Sequence, residues 1–143
     1  MAIKEFRGEY RFLSNFYPAP IEYRGIRVAT TEHAFQLGKL PDDATREEIE
    51  AIAYAGSPGE AKRAGRKARL RTDWETVKIQ VMREVLLLKF SIPELRNKLL
   101  ATGDEELIEG NTWGDRIWGI DLRTGVGENN LGRLLMEVRA ANG

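Results

Sequence analysis

At four places in this chain a serine or threonine, followed three residues later by glutamate, is placed to open a helix: Thr45/Glu48, Ser57/Glu60, Thr72/Glu75 and Ser91/Glu94. In such a pair the hydroxyl accepts from the backbone N–H three residues on, and the glutamate reaches back to the capping residue's own amide. Each pair marks a helix start, so the spacing predicts helices beginning near residues 46, 58, 73 and 92. Pro58 strengthens the second, because proline suits the first helical position. The third helix is the longest, from about Asp73 to Phe90. Trp74, Val77, Val81, Val85 and Leu88 lie along one side of it, and Ile79, Met82, Leu86 and Leu87 widen that surface. This predicts a central helix covered on most sides. The helix opened by Ser91 is expected to stop at Thr102-Gly103. A last helix spans about Asn130 to Ala141, with Leu131, Leu134, Leu135 and Val138 on one face. Thr31-Glu-His-Ala-Phe35 reads as a further start, capped by Thr30 or Thr31.

Before residue 30 the pattern changes. Tyr10, Phe12, Phe16, Tyr17, Ile21, Tyr23, Ile26 and Val28 are interrupted by Pro18, Pro20 and Gly25, which reads as short strands or an irregular aromatic segment. Glu106–Glu109 and Arg116–Leu122 each fit a short strand. The Gly- and Asn-rich stretch from 110 to 130 is the main candidate for a functional loop. Neither a repeat nor a linker interrupts the 143 residues. The expectation is one compact, helix-rich α+β domain, 1–143, with a few short strands.

Charge narrows the function. Lys and Arg number 22, as do Asp and Glu, so the formal net charge is zero. A protein that coats DNA needs a large basic excess to displace counterions, whereas a local basic pocket remains open. The chain has no cysteine and a single histidine, which removes disulfides, thiolate chemistry and most routes to a zinc site. No apolar run approaches the ~20 residues of a membrane helix, and the first residues lack a signal-peptide core. A cytoplasmic protein with no membrane partner is expected.

Three groups of residues can carry chemistry. Glu32 falls in the first turn of its predicted helix, where free N–H groups and the helix dipole favour an ionised carboxylate. Gln36 and Lys39 lie within about 40° of it on the wheel, so one stripe carries an anion, an amide and an ammonium. Spacing alone reads this as a solvated face. Trp113-Gly-Asp115-Arg-Ile-Trp118 places a carboxylate between two indoles, which offer stacking surfaces and would desolvate the acid, raising its pKa. The same residues also fit a turn packed on the core. Lys62, Arg63, Arg66, Lys67, Arg69 and Arg71 concentrate positive charge and could hold a phosphate, or could be neutralised by Asp42, Asp43, Glu47, Glu48 and Glu50. His33 next to a helix start reads as structural. The glycines at 125, 127 and 132 precede a helix whose N-terminus could cradle a phosphate, but they lack the order of a dinucleotide fingerprint.

These residues together resemble the NADAR (YbiA-like) family. The resemblance is carried by Phe12-Leu-Ser-Asn-Phe-Tyr17, Thr31-Glu-His-Ala-Phe-Gln36 with Lys39, and Ser57-Pro-x-x-Ala-Lys62 with Gly65-Arg66. Trp74-x-x-x-Lys78-x-x-x-Met82, Lys89-Phe90, Leu99-Leu-x-Thr-Gly103, Trp113-Gly-Asp115, Trp118-Gly119 and Asn129–Met136 extend it across nearly the whole chain. It implies a compact helix-rich fold and an N-glycosidase that uses no cofactor and no metal. The implied substrate is a phosphoribosylamino-pyrimidine intermediate of riboflavin synthesis, releasing ribose 5-phosphate, or ADP-ribosylated guanine in nucleic acid. Carried over by position, Glu32 and Asp115 are the leading carboxylates and Lys39 an alternative nucleophile through a Schiff base. Asn15, Phe16, Gln36, Lys62, Arg66, Trp74, Lys78, Trp113, Trp118 and Asn129 are the implied substrate contacts. A non-catalytic ADP-ribose-binding module, using the same tryptophans and basic residues, is the alternative. The oligomeric state is not legible.

Overall fold

A computed structural model describes residues 1–143. Two compact units make up the chain: Asn15–Lys89 forms one, and Met1–Ser14 together with Phe90–Gly143 forms the other.

In the unit 15–89 a hairpin comes first. Strands β2 (Ile21–Tyr23) and β3 (Ile26–Val28) pair antiparallel, Ile21 opposite Val28 and Tyr23 opposite Ile26. Arg24 and Gly25 both have positive φ, 52° and 81°, so the two-residue turn is of the primed type whose twist matches that of the strands. Four helices follow: α1 (Thr31–Gly38), α2 (Arg46–Ala53), α3 (Pro58–Lys67) and α4 (Trp74–Lys89). Helix α1 is the hub, packed by α2, α3, α4 and β3.

Two of the four signatures cap a helix, one of them as the full box. Thr45 accepts from the Glu48 N–H while the Glu48 side chain accepts from the Thr45 N–H, a complete box. Ser57 caps α3, but Glu60 reaches past it to the N–H of Gly56. Thr72 does not cap α4: Asp73 presents its carbonyl to Thr76 and Val77, and its carboxylate is gripped by Arg71. Helix α5 (Pro93–Ala101) starts after Ile92, with Pro93 at the first position, so the start lies one residue beyond the Ser91 reading. The broad apolar surface expected of α4 is narrower too. Trp74, Val81, Met82, Val85, Leu86 and Lys89 are buried, whereas Leu87 and Leu88 are exposed.

In the other unit, β1 (Ala2–Ile3) runs parallel to β4 (Glu106–Leu107). A 3-10 helix occupies Gly8–Leu13, where the sequence suggested strand or irregular structure; Phe12 and Leu13 are its buried side chains. Helix α5 packs against this segment and against α6 (Asn130–Asn142), whose predicted face of Leu131, Leu134, Leu135 and Val138 is buried. Thr102 and Gly103, with φ of +63°, end α5 as expected. A second parallel pair, β5 (Gly110–Asn111) with β6 (Ile120–Asp121), brackets the Gly- and Asn-rich loop. The fold is α+β, helix-rich with short strands.

Candidate active site

Every residue of α1 is buried. The Thr30 side chain caps it, accepting from the His33 N–H, so Thr31 is its first residue and Glu32 its second, one position later than a Thr31 cap would give. Asn15 locks this end in place. Its carbonyl accepts from the Glu32 N–H, its Oδ1 accepts from the Thr31 hydroxyl at 2.8 Å, and its Nδ2 meets the Met82 sulfur at 3.5 Å. His33 is structural, as its position suggested. Its Nε2 faces the Ala55 carbonyl at 3.0 Å and its Nδ1 faces the Thr30 hydroxyl at 2.8 Å.

The stripe that reads as solvated is buried: Glu32 is 8% exposed and Gln36 1%. Gln36 Nε2 donates to Glu32 Oε2 at 2.5 Å. Burial overturns the expectation that the helix start alone keeps Glu32 ionised. Loss of hydration pushes its pKa up, partly offset by the Gln36 hydrogen bond and the charges of Lys62, Lys39 and His33. Lys39 shifts in the opposite sense. Burial lowers its pKa, Lys62 and Arg66 lower it further, and Glu32 pulls it back up. The Lys39 ammonium stands 5.7 Å from the Phe35 ring centre and 5.9 Å from that of Trp74. Those two rings meet edge to face, 5.2 Å apart. Phe35 lies inside the Thr31–Gln36 motif but escaped notice as a site residue, because an aromatic on an apolar helix face reads as core.

The basic run divides in two. Lys62 and Arg66, on α3, act on Glu32 and Lys39. Arg69 is taken by Glu48 and Asp43, at 2.8 and 3.3 Å, and Arg71 by Asp73 at 2.6 Å. The neutralising acids offered by the sequence thus hold for Arg69, while Arg71 is taken by a different one, Asp73. Lys78 pairs with Glu75 at 2.7 Å, and Phe16 is 45% exposed.

Asp115, Trp113, Trp118 and Asn129 belong to the other unit. Asp115 Oδ1 accepts from the N–H groups of Ile117 and Trp118, at 3.0 and 2.9 Å. The Asn111 amide closes the same turn, accepting from the Asp115 N–H and donating to its carbonyl. Trp113 is 68% exposed, and Trp118 is half-buried. Asn129 is engaged at both ends of its amide, donating to the Leu107 carbonyl and accepting from the Glu109 N–H. The phosphate cradle expected before α6 is not there. The N–H groups of residues 128 to 131 donate to the carbonyls of Arg116, Gly119, Ile117 and Trp118, so the donors at the helix start are mostly spent on the protein.

The NADAR domain model matches residues 3–141. The chain belongs to this family. N-glycosidase YbiA of Escherichia coli strain K12 is 46% identical over 134 residues, covering 92% of this chain and 81% of the relative. An NMR structure of the E. coli protein YbiA superposes with a TM-score of 0.83 at 39% identity, over 99% of this chain and 83% of the other. The chloroplastic riboflavin biosynthesis protein PYRR of Zea mays is 40% identical over 142 residues, covering 89% of this chain but 22% of that longer protein.

Proposed function

We propose that this chain is an N-glycosidase that hydrolyses the bond between a ribose anomeric carbon and nitrogen in phosphoribosylamino-pyrimidine intermediates of riboflavin synthesis. The names of its relatives, N-glycosidase YbiA and a riboflavin biosynthesis protein, support the reaction and the substrate class. The observation that carries it is the buried carboxyl of Glu32, hydrogen-bonded by Gln36 and flanked by the ammonium groups of Lys39 and Lys62. A buried carboxyl whose pKa lies above the ordinary glutamate value can take up and release a proton and, once ionised, stabilise positive charge on a ribosyl carbon.

In this reading the carbon–nitrogen bond breaks through an oxocarbenium-like state, and Glu32 steadies the cation and takes a proton from the attacking water. The base leaves with its electron pair and a proton, and the products are ribose 5-phosphate and the free aminopyrimidine. Lys62 and Arg66 supply the local positive charge that suits the 5′-phosphate. Asp115, in the other unit, is the second carboxylate that the family resemblance implies. Its Oδ1 accepts from two backbone amides of its own turn. Asp115→Asn, which keeps that turn, is expected to lower kcat about 10²-fold.

The burial of Lys39 and its lowered pKa favour a second route: its amine attacks the anomeric carbon, the aminopyrimidine leaves with a proton, and the ring opens to a Schiff base that water hydrolyses to ribose 5-phosphate. Borohydride during turnover separates the two. A trapped protein–ribose adduct assigns the reaction to the lysine, and its absence to the carboxylate. The test of function is a side-by-side assay of the purified protein on a phosphoribosylamino-pyrimidine and on an oligonucleotide carrying ADP-ribosylated guanine. Release of ribose 5-phosphate from the first supports the proposal. Turnover of the second alone moves the substrate to nucleic acid, and ADP-ribose binding without turnover of either replaces the enzyme with a binding module.

A further inference from the structure

The amide of Gln36 has a one-sided environment. Its Nε2 donates to Glu32, while its Oε1 is buried without a hydrogen-bond partner. Buried acceptors of this kind are uncommon in native proteins, because each forfeits its hydration. The reason for the orientation lies on both sides of the amide. Turning it over would set the amide oxygen against a carboxylate oxygen. Facing Oε1 is Gly65 of α3, and a Cβ at residue 65 would collide with Oε1 and press on the amide carbon and Cβ of Gln36. The glycine is not there for backbone freedom, since it lies inside a helix; it makes room for this one side chain.

We propose that Gln36 is a positioning residue for the Glu32 carboxylate, held in its working orientation by the side-chain-free backbone at Gly65. The inference rests on the assignment of Glu32 above. It differs from the substrate contact that the resemblance implied for Gln36, because at 1% exposure the amide is spent on the protein. The other charged or titratable groups acting on the Glu32 carboxyl are Lys62 from α3, His33 from α1 itself and Lys39 at its C-terminal cap. The hydrogen bond from Gln36 is the strongest of the influences that favour the ionised form.

Gly65→Ala tests this without touching either member of the pair. Alanine suits a helix better than glycine, and the atoms nearest the added methyl are the amide end of Gln36, which must turn away to admit it. Gln36→Met, close in volume, removes the amide directly. Each variant is compared with the parent by carbon-13 NMR titration of the Glu32 carboxyl and by the pH profile of kcat/KM. Both are expected to raise the Glu32 titration, carry the acid limb of the profile upward with it, and lower kcat about 10-fold with KM little changed, the scale of a lost hydrogen bond to a charged group. The double variant is expected to add little to either single one. A parental Glu32 titration in either variant, or effects that simply add, would overturn the proposal. The NMR arm stands apart from catalysis: full activity in Glu32→Gln would end the catalytic assignment, while the titrations would still judge the pairing.

Discussion

Glu32 sits where two opposing influences meet. The start of α1 favours its anion, and the packing of α2, α3 and α4 around that helix strips the water that an anion needs. The folded protein therefore keeps the Glu32 proton at a pH where the unfolded chain has released it. Folding stability is predicted to fall as pH rises from the ordinary glutamate value of 4.5 through the raised folded one, and then to level off. Glu32→Gln removes that decline and is expected to gain about 1 kcal/mol at pH 7, as replacement of a strained active-site group commonly does. Urea denaturation of both proteins at pH 4.5 and 7.5 checks it; an equal difference at the two values contradicts it. Lys89 runs the other way. It is fully buried, and burial lowers its pKa to about 7. Between that value and the usual 10.5 the unfolded chain binds more protons, so stability rises with pH across this window. Lys89→Met is predicted to stabilise by on the order of a few kcal/mol at pH 6 and far less at pH 10. Thermal melts at both values read the difference, and pH-independent melting would refute it.

At the level of elements, capping geometry and close approach decide which substitutions matter. Thr45→Ala and Ser57→Ala each remove a formed cap and are expected to cost about 1 kcal/mol. Thr72→Ala removes no cap and is expected to stay within about 0.5 kcal/mol of the parent, by the same denaturation measurement. Gly38, the last residue of α1, faces α4 so closely that a Cβ would strike Val81 Cγ1, with the Tyr23 hydroxyl also near. Gly38→Ala is predicted to destabilise by about 1–3 kcal/mol, the usual cost of overpacking. The helices were legible because capping pairs and apolar periodicity are local signals. Thr72 and Ser91 misled because the same pattern arises when Asp73 or Pro93 sets the boundary one residue later. The 3-10 segment at 8–13 and the Arg24-Gly25 turn were not legible. Short aromatic runs carry no clear period, and arginine is an unusual residue at positive φ.

Over the whole molecule, zero net charge conceals a division of labour. Arg69 and Arg71 are balanced by acids beside them, whereas Lys62 favours the Glu32 anion and, with Arg66, lowers the pKa of Lys39. The sequence located both halves of that run but could not separate them, since the separation depends on which acids the fold brings to 69 and 71. Likewise it brought Glu32, Gln36 and Lys39 onto one stripe yet read the stripe as wet, because burial of α1 is set by neighbours distant in sequence. With only a local cluster of cations, turnover of a small phosphoribosyl substrate is expected to depend weakly on salt. A steep loss between 50 and 200 mM, of about 10³-fold or more, would indicate a polyanionic substrate instead. The account as a whole turns on the Glu32 carboxyl as the group that acts on the ribosyl carbon. The most direct measurement is the rate of ribose 5-phosphate release from a phosphoribosylamino-pyrimidine by the parent and by Glu32→Gln under identical conditions. A drop of about 10²-fold or more in kcat, in a variant that folds at least as stably, is the predicted result. Equal rates would contradict it.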